Sequence, residues 1–226
     1  MIYIIDTANL EAIRKINEFY PVAGVTTNPS IIAKEKTDFL KLICDIREII
    51  GQDKMLHVQT TATKAEDIIE EAQLLNKLIG KNFYIKIPIS KEGLKATKAL
   101  HKMGIGVTET AIFTQQQALM AALAGADFVA PYVNRFDNIV GDGVKVVSEI
   151  VKIFKTYDLD CKVLAASFKN LEQVHECALS GCHAVTIGAS LYESLTYHPM
   201  TDLAISGFEK DWKSVYGDKS IKDLIK

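Results

Sequence analysis

The sequence has few cysteines, and they are not paired. Cys44, Cys161, Cys177 and Cys182 include no CxxC motif, and no cysteine–histidine spacing suits zinc. A disulfide framework and a zinc ribbon are therefore excluded, and free, mostly buried thiols in a reducing compartment are expected. No apolar run approaches the ~20 residues that a membrane helix needs. Met1–Asp6 reads as a short strand and lacks the basic region and cleavage site of a signal peptide. A cytoplasmic location is the expectation, with no membrane partner. Neither sign of charge is in excess: 26 Lys and Arg stand against 28 Asp and Glu, a net charge of -2. That balance predicts no nucleic-acid surface and means that an anionic ligand needs a local basic site. Signature motifs are missing as well. There is no P-loop, HExxH or GxSxG, and Gly104-Ile105-Gly106 lacks the third glycine of a dinucleotide loop. His57, His101, His175, His183 and His198 show no metal-like spacing and read as structural or solvated.

What is present is a regular alternation over 226 residues, 48% of them hydrophobic, enough for a substantial core. Short apolar runs occur at Ile2–Ile5, Val22–Thr26, Met55–Gln59, Phe83–Pro88, Ile105–Ile112, Phe128–Val133, Lys162–Ala166 and Ala184–Ile187. Between them lie stretches of helical period. Examples are Leu10, Ile13, Ile16 and Phe19; Phe39, Leu42, Ile43, Ile46 and Ile50; and Ala65, Ile68, Ile69, Ala72 and Leu75. Strands separated by helices imply a parallel sheet with right-handed crossovers. A closed (β/α)8 barrel, a TIM barrel forming a single domain over residues 1–226, fits eight such runs and leaves no sheet edge. The rival is an open doubly wound sheet, but Ile5-Asp6-Thr7-Ala8-Asn9 has no glycine-rich phosphate loop. A further C-terminal helix is expected around Phe208, Trp212 and Tyr216. Those aromatics would cover the barrel or pack on a neighbouring subunit.

In such a barrel the active site lies at the C-terminal strand ends. Asp6, Thr26, Gln59, Lys86, Thr110, Tyr132 and Ser167 fall at or near the ends of seven consecutive runs. Lys86 is the sharpest signal. On an edge strand it would be a charge that discourages aggregation. In a barrel strand, buried on both faces, it is a lysine whose ammonium form is disfavoured. A neutral amine is the nucleophile that attacks a ketone to give an imine. Asp6 either caps the following helix, a role open to Thr7 as well, or orients substrate hydroxyls or relays a proton. Thr26-Thr27-Asn28-Pro29-Ser30 is either a capping turn or a segment in which Asn28 binds a sugar hydroxyl. Tyr132 is either a core residue or a proton donor and acceptor, and Arg135 either a surface charge or a phosphate fork. Ser167 and Lys169 are either turn residues or the rest of an anion pocket.

These strand-end residues resemble a known family. Ala23-Gly24-Val25-Thr26-Thr27-Asn28-Pro29-Ser30, Ile85-Lys86-Ile87-Pro88, Ala130-Pro131-Tyr132-Val133-Asn134-Arg135 and Ala165-Ala166-Ser167-Phe168-Lys169 are similar to the motifs of the transaldolase family. Within it the small fructose-6-phosphate aldolases are the nearest match. The resemblance implies that Lys86 is the Schiff-base lysine and that Asp6 and Asn28, with Thr26 beside them, contact the dihydroxyacetone unit. It implies that Gln59, Thr110 and Tyr132 hold a catalytic water, and that Arg135, Ser167 and Lys169 bind the acceptor phosphate. The implied activity is class I aldol cleavage of fructose 6-phosphate, with no metal or organic cofactor. The alternative is a transaldolase moving a dihydroxyacetone unit between sugar phosphates of the pentose phosphate pathway. True transaldolases usually carry a glutamate where this chain has Gln59 and a phenylalanine where it has Tyr132, so both positions favour the aldolase. A barrel that binds a sugar phosphate without turnover is a third reading, disfavoured by the buried lysine. By the same resemblance the expected partner is a sugar-phosphate substrate, and the expected assembly is a homodecamer of two pentamers.

Overall fold

A computed structural model describes residues 1–225. Eight strands form a closed barrel in sequence order: β1 (Ile2–Asp6), β2 (Gly24–Thr26), β3 (Met55–Gln59), β4 (Phe83–Pro88), β5 (Gly106–Ile112), β6 (Phe128–Pro131), β7 (Lys162–Ala165) and β8 (Ala184–Ile187). Each is parallel to the next, and β8 pairs with β1. The helices of the barrel are α1 (Leu10–Phe19), α2 (Pro29–Lys34), α3 (Phe39–Ile50), α4 (Ala65–Ile79), α5 (Lys91–Lys102), α6 (Gln115–Leu123), α7 (Val133–Asp137), α8 (Gly143–Thr156), α9 (Leu171–Leu179) and α10 (Ala189–Thr196). This is the TIM barrel that the alternation predicts. The periodicity does not reveal α2, α7 and α10, which are too short to show a clear stripe.

The barrel unit runs from Met1 to Tyr192, and a second compact unit begins at Glu193. The second unit holds the C-terminal helices α11 (Pro199–Tyr216) and α12 (Ile221–Ile225). Within it the Trp212 and Tyr216 rings lie 4.5 Å apart, and the Trp212 indole N–H donates to the Lys219 carbonyl at 2.7 Å. No helix among the described residues is long and apolar enough to cross a membrane.

Strand alternation sorts the barrel residues. Ile5, Val25, Leu56, Val58, Ile85, Ile87, Val107, Val129, Val163, Val185 and Ile187 are all buried. They alternate with the residues facing the barrel axis, and the helices that cover them bring apolar stripes such as Leu42, Ile43, Ile46 and Ile50 of α3. Each such side chain contributes up to roughly 1.5–3 kcal/mol relative to exposure. The opposite parity faces the barrel axis. Ile4, Phe128, Leu164 and Ala184 form its apolar floor, with Ile2, Met55 and Tyr84 packed against them. One step further along the same parity come Asp6, Lys86, Ala166 and Thr186, and two steps beyond Phe128 comes Tyr132, at the mouth.

Four strands are shorter than the apolar runs suggest, β5 only by Ile105. β2 starts at Gly24, because the Val22 N–H is already given to the Tyr20 carbonyl in a turn. β6 stops at Pro131, which has no N–H for the ladder. Tyr132 then makes a single bridge with Ala166, and Val133 begins α7. β7 ends at Ala165, with Ala166 reduced to that same bridge. Against β6, strand β5 bulges between Glu109 and Ile112, with Ala111 at φ 56°. Such bulges re-aim side chains beside active sites.

Candidate active site

A cleft of about 700 Å³ opens at the C-terminal ends of the strands. Asp6, Asn28, Gln59, Lys86, Tyr132, Arg135, Ser167 and Lys169, all singled out in the sequence, line it together. Thr26 and Thr110 do not line it. Both are fully buried, and their hydroxyls contact Asp6 and Tyr132, which do line it.

Lys86 is 5% exposed on β4, and adjacent strands place Gln59 level with it. A closed barrel has no edge, so the edge-strand reading of this lysine falls. Its Nζ donates to the Thr27 carbonyl at 2.8 Å, which fixes the amine against the wall. Burial lowers its pKa, and the nearby Asp6 carboxylate partly opposes that shift. Below it, on β3, His57 is fully buried. Its Nδ1 lies 2.9 Å from Thr108 Oγ1, and its ring stacks on Tyr84 at 4.7 Å. Desolvation first, and the charge of Lys86 second, push this imidazole down to about 3. It is neutral at ordinary pH and adds no positive charge beneath the lysine.

Asp6 does not cap α1, because Asn9 does so by accepting from the Ala12 N–H at 3.0 Å. Asp6 instead accepts from Thr26 Oγ1 at 2.7 Å. Thr26 Oγ1 is also 2.6 Å from Thr186 Oγ1. Thr26 has one hydroxyl proton and gives it to Asp6, so Thr186 is the donor in the second bond. Thr26 is thereby occupied in holding Asp6. Asn28 takes the capping role, its Oδ1 accepting from the Ile31 N–H of α2 at 3.0 Å, and the residue also lines the cleft. Its amide NH2 is the end suited to a ligand oxygen.

Across the mouth, Thr110 Oγ1 donates to the Tyr132 hydroxyl at 3.3 Å. Phe113 meets the Tyr132 ring edge-on at 5.6 Å, and the Arg135 guanidinium sits 4.6 Å from its centroid. Arg135 is exposed, on the one-turn helix α7 that Pro131 starts by ending β6. Ser167 has φ 64°, a left-handed backbone that non-glycine residues rarely adopt and that tends to mark functional loops. Its carbonyl accepts from the Asn134 N–H at 2.9 Å, joining the loops after β6 and β7.

The sequence reading found no polar group on β8, yet Thr186 lines the cleft. The signal was there: Thr186 is the lone polar residue of Ala184–Ile187, in register with Ile4 and sharing its parity with Asp6. Lys34, at the end of α2, and Ser190, in α10, also line the cleft and were missed; both sit in short helices that the apolar periodicity does not reveal. With Lys34, Arg135 and Lys169 around one opening, a chain of net charge -2 gathers positive charge where a small anion would enter. Among the described residues, no group of three or more His, Cys, Asp or Glu side chains is placed to hold a metal ion. Cys161, Cys177 and Cys182 are buried and Cys44 is exposed, all as free thiols.

Comparison with known proteins finds relatives along most of the chain. Two curated relatives, each named "Probable transaldolase", are from Brachyspira hyodysenteriae and Lachnoclostridium phytofermentans. They are 44% and 41% identical over 96% of this chain and 100% of their own length. Among solved structures, a 3,6-anhydro-D-galactonate cycloisomerase from Zobellia galactanivorans aligns with a TM-score of 0.59 at 15% identity, over 88% of this chain and 57% of that one. A mandelate oxidase mutant aligns with a TM-score of 0.58 at 13% identity, over 84% of this chain and 64% of that one. This chain thus spans less than two thirds of those two solved chains, and the likeness is one of barrel fold alone. The family model described as Transaldolase/Fructose-6-phosphate aldolase matches residues 3–221. The chain belongs to the transaldolase/fructose-6-phosphate aldolase family.

Proposed function

We propose that the protein is a class I aldolase that splits fructose 6-phosphate into dihydroxyacetone and glyceraldehyde 3-phosphate, with Lys86 as the imine-forming amine. One observation carries the reading: a lysine amine, 5% exposed, sits in the wall of a polar cleft at the barrel mouth. Burial favours the neutral amine, whose lone pair adds to the keto carbon. Water leaves, and the iminium nitrogen draws the electron pair of the C3–C4 bond as that bond breaks. The C4 hydroxyl gives up its proton, and glyceraldehyde 3-phosphate departs. The enamine left on Lys86 takes a proton at carbon. Water then adds to the iminium and releases dihydroxyacetone and the free amine.

The remaining groups take roles that suit their chemistry. The Tyr132 phenol exchanges the protons, directly or through a water shared with Gln59 and Thr110, and its contact with Thr110 fixes its orientation. Asp6, held by Thr26, and the amide NH2 of Asn28 bind the hydroxyls of the dihydroxyacetone unit. Arg135, Ser167 and Lys169 hold the phosphate, for which the guanidinium fork is well shaped.

A second reading is favoured by the names of the two curated relatives: a transaldolase passes the enamine to a sugar-phosphate aldehyde instead of to a proton. Gln59 is a neutral amide and Tyr132 a phenol, a pairing that supports protonation and release. Product partition decides between them. With fructose 6-phosphate alone, an aldolase accumulates free dihydroxyacetone. If dihydroxyacetone stays absent until erythrose 4-phosphate is added, and sedoheptulose 7-phosphate then forms, the transaldolase reading replaces the first.

A further inference from the structure

The cationic end of the cleft is carried by two separate loops. Arg135 follows β6, while Ser167 and Lys169 follow β7. Besides the Asn134–Ser167 backbone bond, one buried side chain ties the two together. Gln173 lies in the first turn of α9, where its own N–H is taken by the capping Asn170 Oδ1 at 2.9 Å. Its Oε1 accepts from the Lys169 N–H at 2.8 Å. Its Nε2 donates to Asp137 Oδ2 at 2.5 Å and to Asn134 Oδ1 at 3.3 Å. Asn134 and Asp137 flank Arg135 on α7.

Asp137 is itself fixed from a third side. Its Oδ1 accepts from the Gly143 N–H at 3.0 Å, at the start of α8. Gly143 lies so close to α7 that an added Cβ would stand 2.4 Å from the Val133 carbonyl oxygen. Gln173 is therefore a side-chain link, beside the Asn134–Ser167 backbone bond, between a clamped α7 and a loop whose Ser167 has a left-handed backbone. The link needs an amide of this length, with an acceptor toward Lys169 and a donor toward Asp137. A carboxylate has no donor to offer Asp137, and an aliphatic side chain satisfies neither partner.

We infer that Gln173 is a positioning residue for the anion end of the site, setting the spacing at which Arg135 and the Ser167–Lys169 loop engage one phosphate together. It does not line the cleft and acts only through those groups. The inference rests on the proposed assignment of the substrate phosphate to Arg135, Ser167 and Lys169.

The test compares two acceptor aldehydes in dihydroxyacetone addition, glyceraldehyde 3-phosphate and unphosphorylated glyceraldehyde. Rates are normalised to the fraction of enzyme trapped by borohydride with dihydroxyacetone. Gln173→Glu sets a second carboxylate against Asp137. It is expected to lower the preference for the phosphorylated aldehyde roughly tenfold or more, chiefly through KM. Gln173→Glu combined with Asp137→Asn exchanges donor and acceptor and is expected to recover most of that preference. If Gln173→Glu does not fold, Gln173→Met, which removes both contacts without adding charge, carries the same expectation of loss. A wild type that prefers the phosphorylated aldehyde, together with variants whose preference is unchanged, overturns the inference alone. So does an equal loss on both aldehydes, or a double variant that recovers nothing. A wild type with no such preference overturns the phosphate assignment, and the inference with it.

Discussion

Glu109 offers a stability prediction whose size follows from its surroundings. It lies on β5 with the parity that faces the helices, and it is fully buried. Thr97 Oγ1 on α5 donates to its Oε1 at 2.7 Å, and its Oε2 has no hydrogen-bond partner. Burial raises its pKa to about 7 from 4.5, against the smaller opposing effect of the Thr97 bond. The folded state therefore holds this proton more tightly than the unfolded chain does. The associated stability is fully present below pH 4.5 and is lost as pH rises through about 7. At about 1.4 kcal/mol per pH unit, that gap corresponds to roughly 3 kcal/mol. Glu109→Gln keeps an acceptor for Thr97 and removes the titration. Urea unfolding from pH 4.5 to 9 should show the variant and wild type nearly equal at the acid end. The variant should then become more stable by about 3 kcal/mol above pH 8, with the change centred between 4.5 and 7. A stability difference that stays constant over the whole range refutes the reasoning.

Three further substitutions probe the site and its surroundings. Tyr132→Phe removes the phenol while keeping the ring under Arg135, and dihydroxyacetone release should fall by roughly 10²–10⁴ while transfer to erythrose 4-phosphate survives better. A coupled assay of glyceraldehyde 3-phosphate formation checks this, and an unchanged cleavage rate removes the proton role from Tyr132. Arg135→Ala should raise KM for fructose 6-phosphate by roughly 10–100-fold, the loss of one or two charge-assisted hydrogen bonds, with a smaller change in kcat. An unchanged KM in steady-state kinetics moves the phosphate elsewhere. Val140 is 99% exposed and holds φ 61°, a strained backbone for a β-branched residue. Val140→Gly should relieve that strain and stabilise the protein by about 1 kcal/mol, read as a Tm rise of roughly 2–4 °C. A lower Tm contradicts the strain argument.

Much of the barrel and its mouth was legible in the sequence because strand alternation is a strong local signal. A lysine in an apolar strand bounded by helices has few places to go, and parity carries Asp6, Lys86 and Tyr132 to the same end. Hidden from the sequence were features set by contacts between distant segments. Gln173 reads as a plain helix residue until α7 lies beside it. Glu109 reads as one polar residue in a strand until Thr97 of α5 covers it. The bulge at Ala111 and the early end of β6 at Pro131 shift side chains in ways that a run of apolar residues does not announce. Thr186 was within reach, since the alternation that placed Asp6 places it too. The choice between capping and binding at Asn28 was not open to sequence reasoning, because the cap takes only the oxygen of the amide and does not use its NH2.

The central claim is that the Lys86 amine forms a covalent imine with a ketone. The most direct measurement is borohydride reduction of the protein with dihydroxyacetone, followed by peptide mass mapping. The account predicts one reduced three-carbon adduct on the peptide containing Lys86, formed at pH values where an exposed lysine would be protonated and unreactive. No adduct, or an adduct on other lysines only, contradicts it.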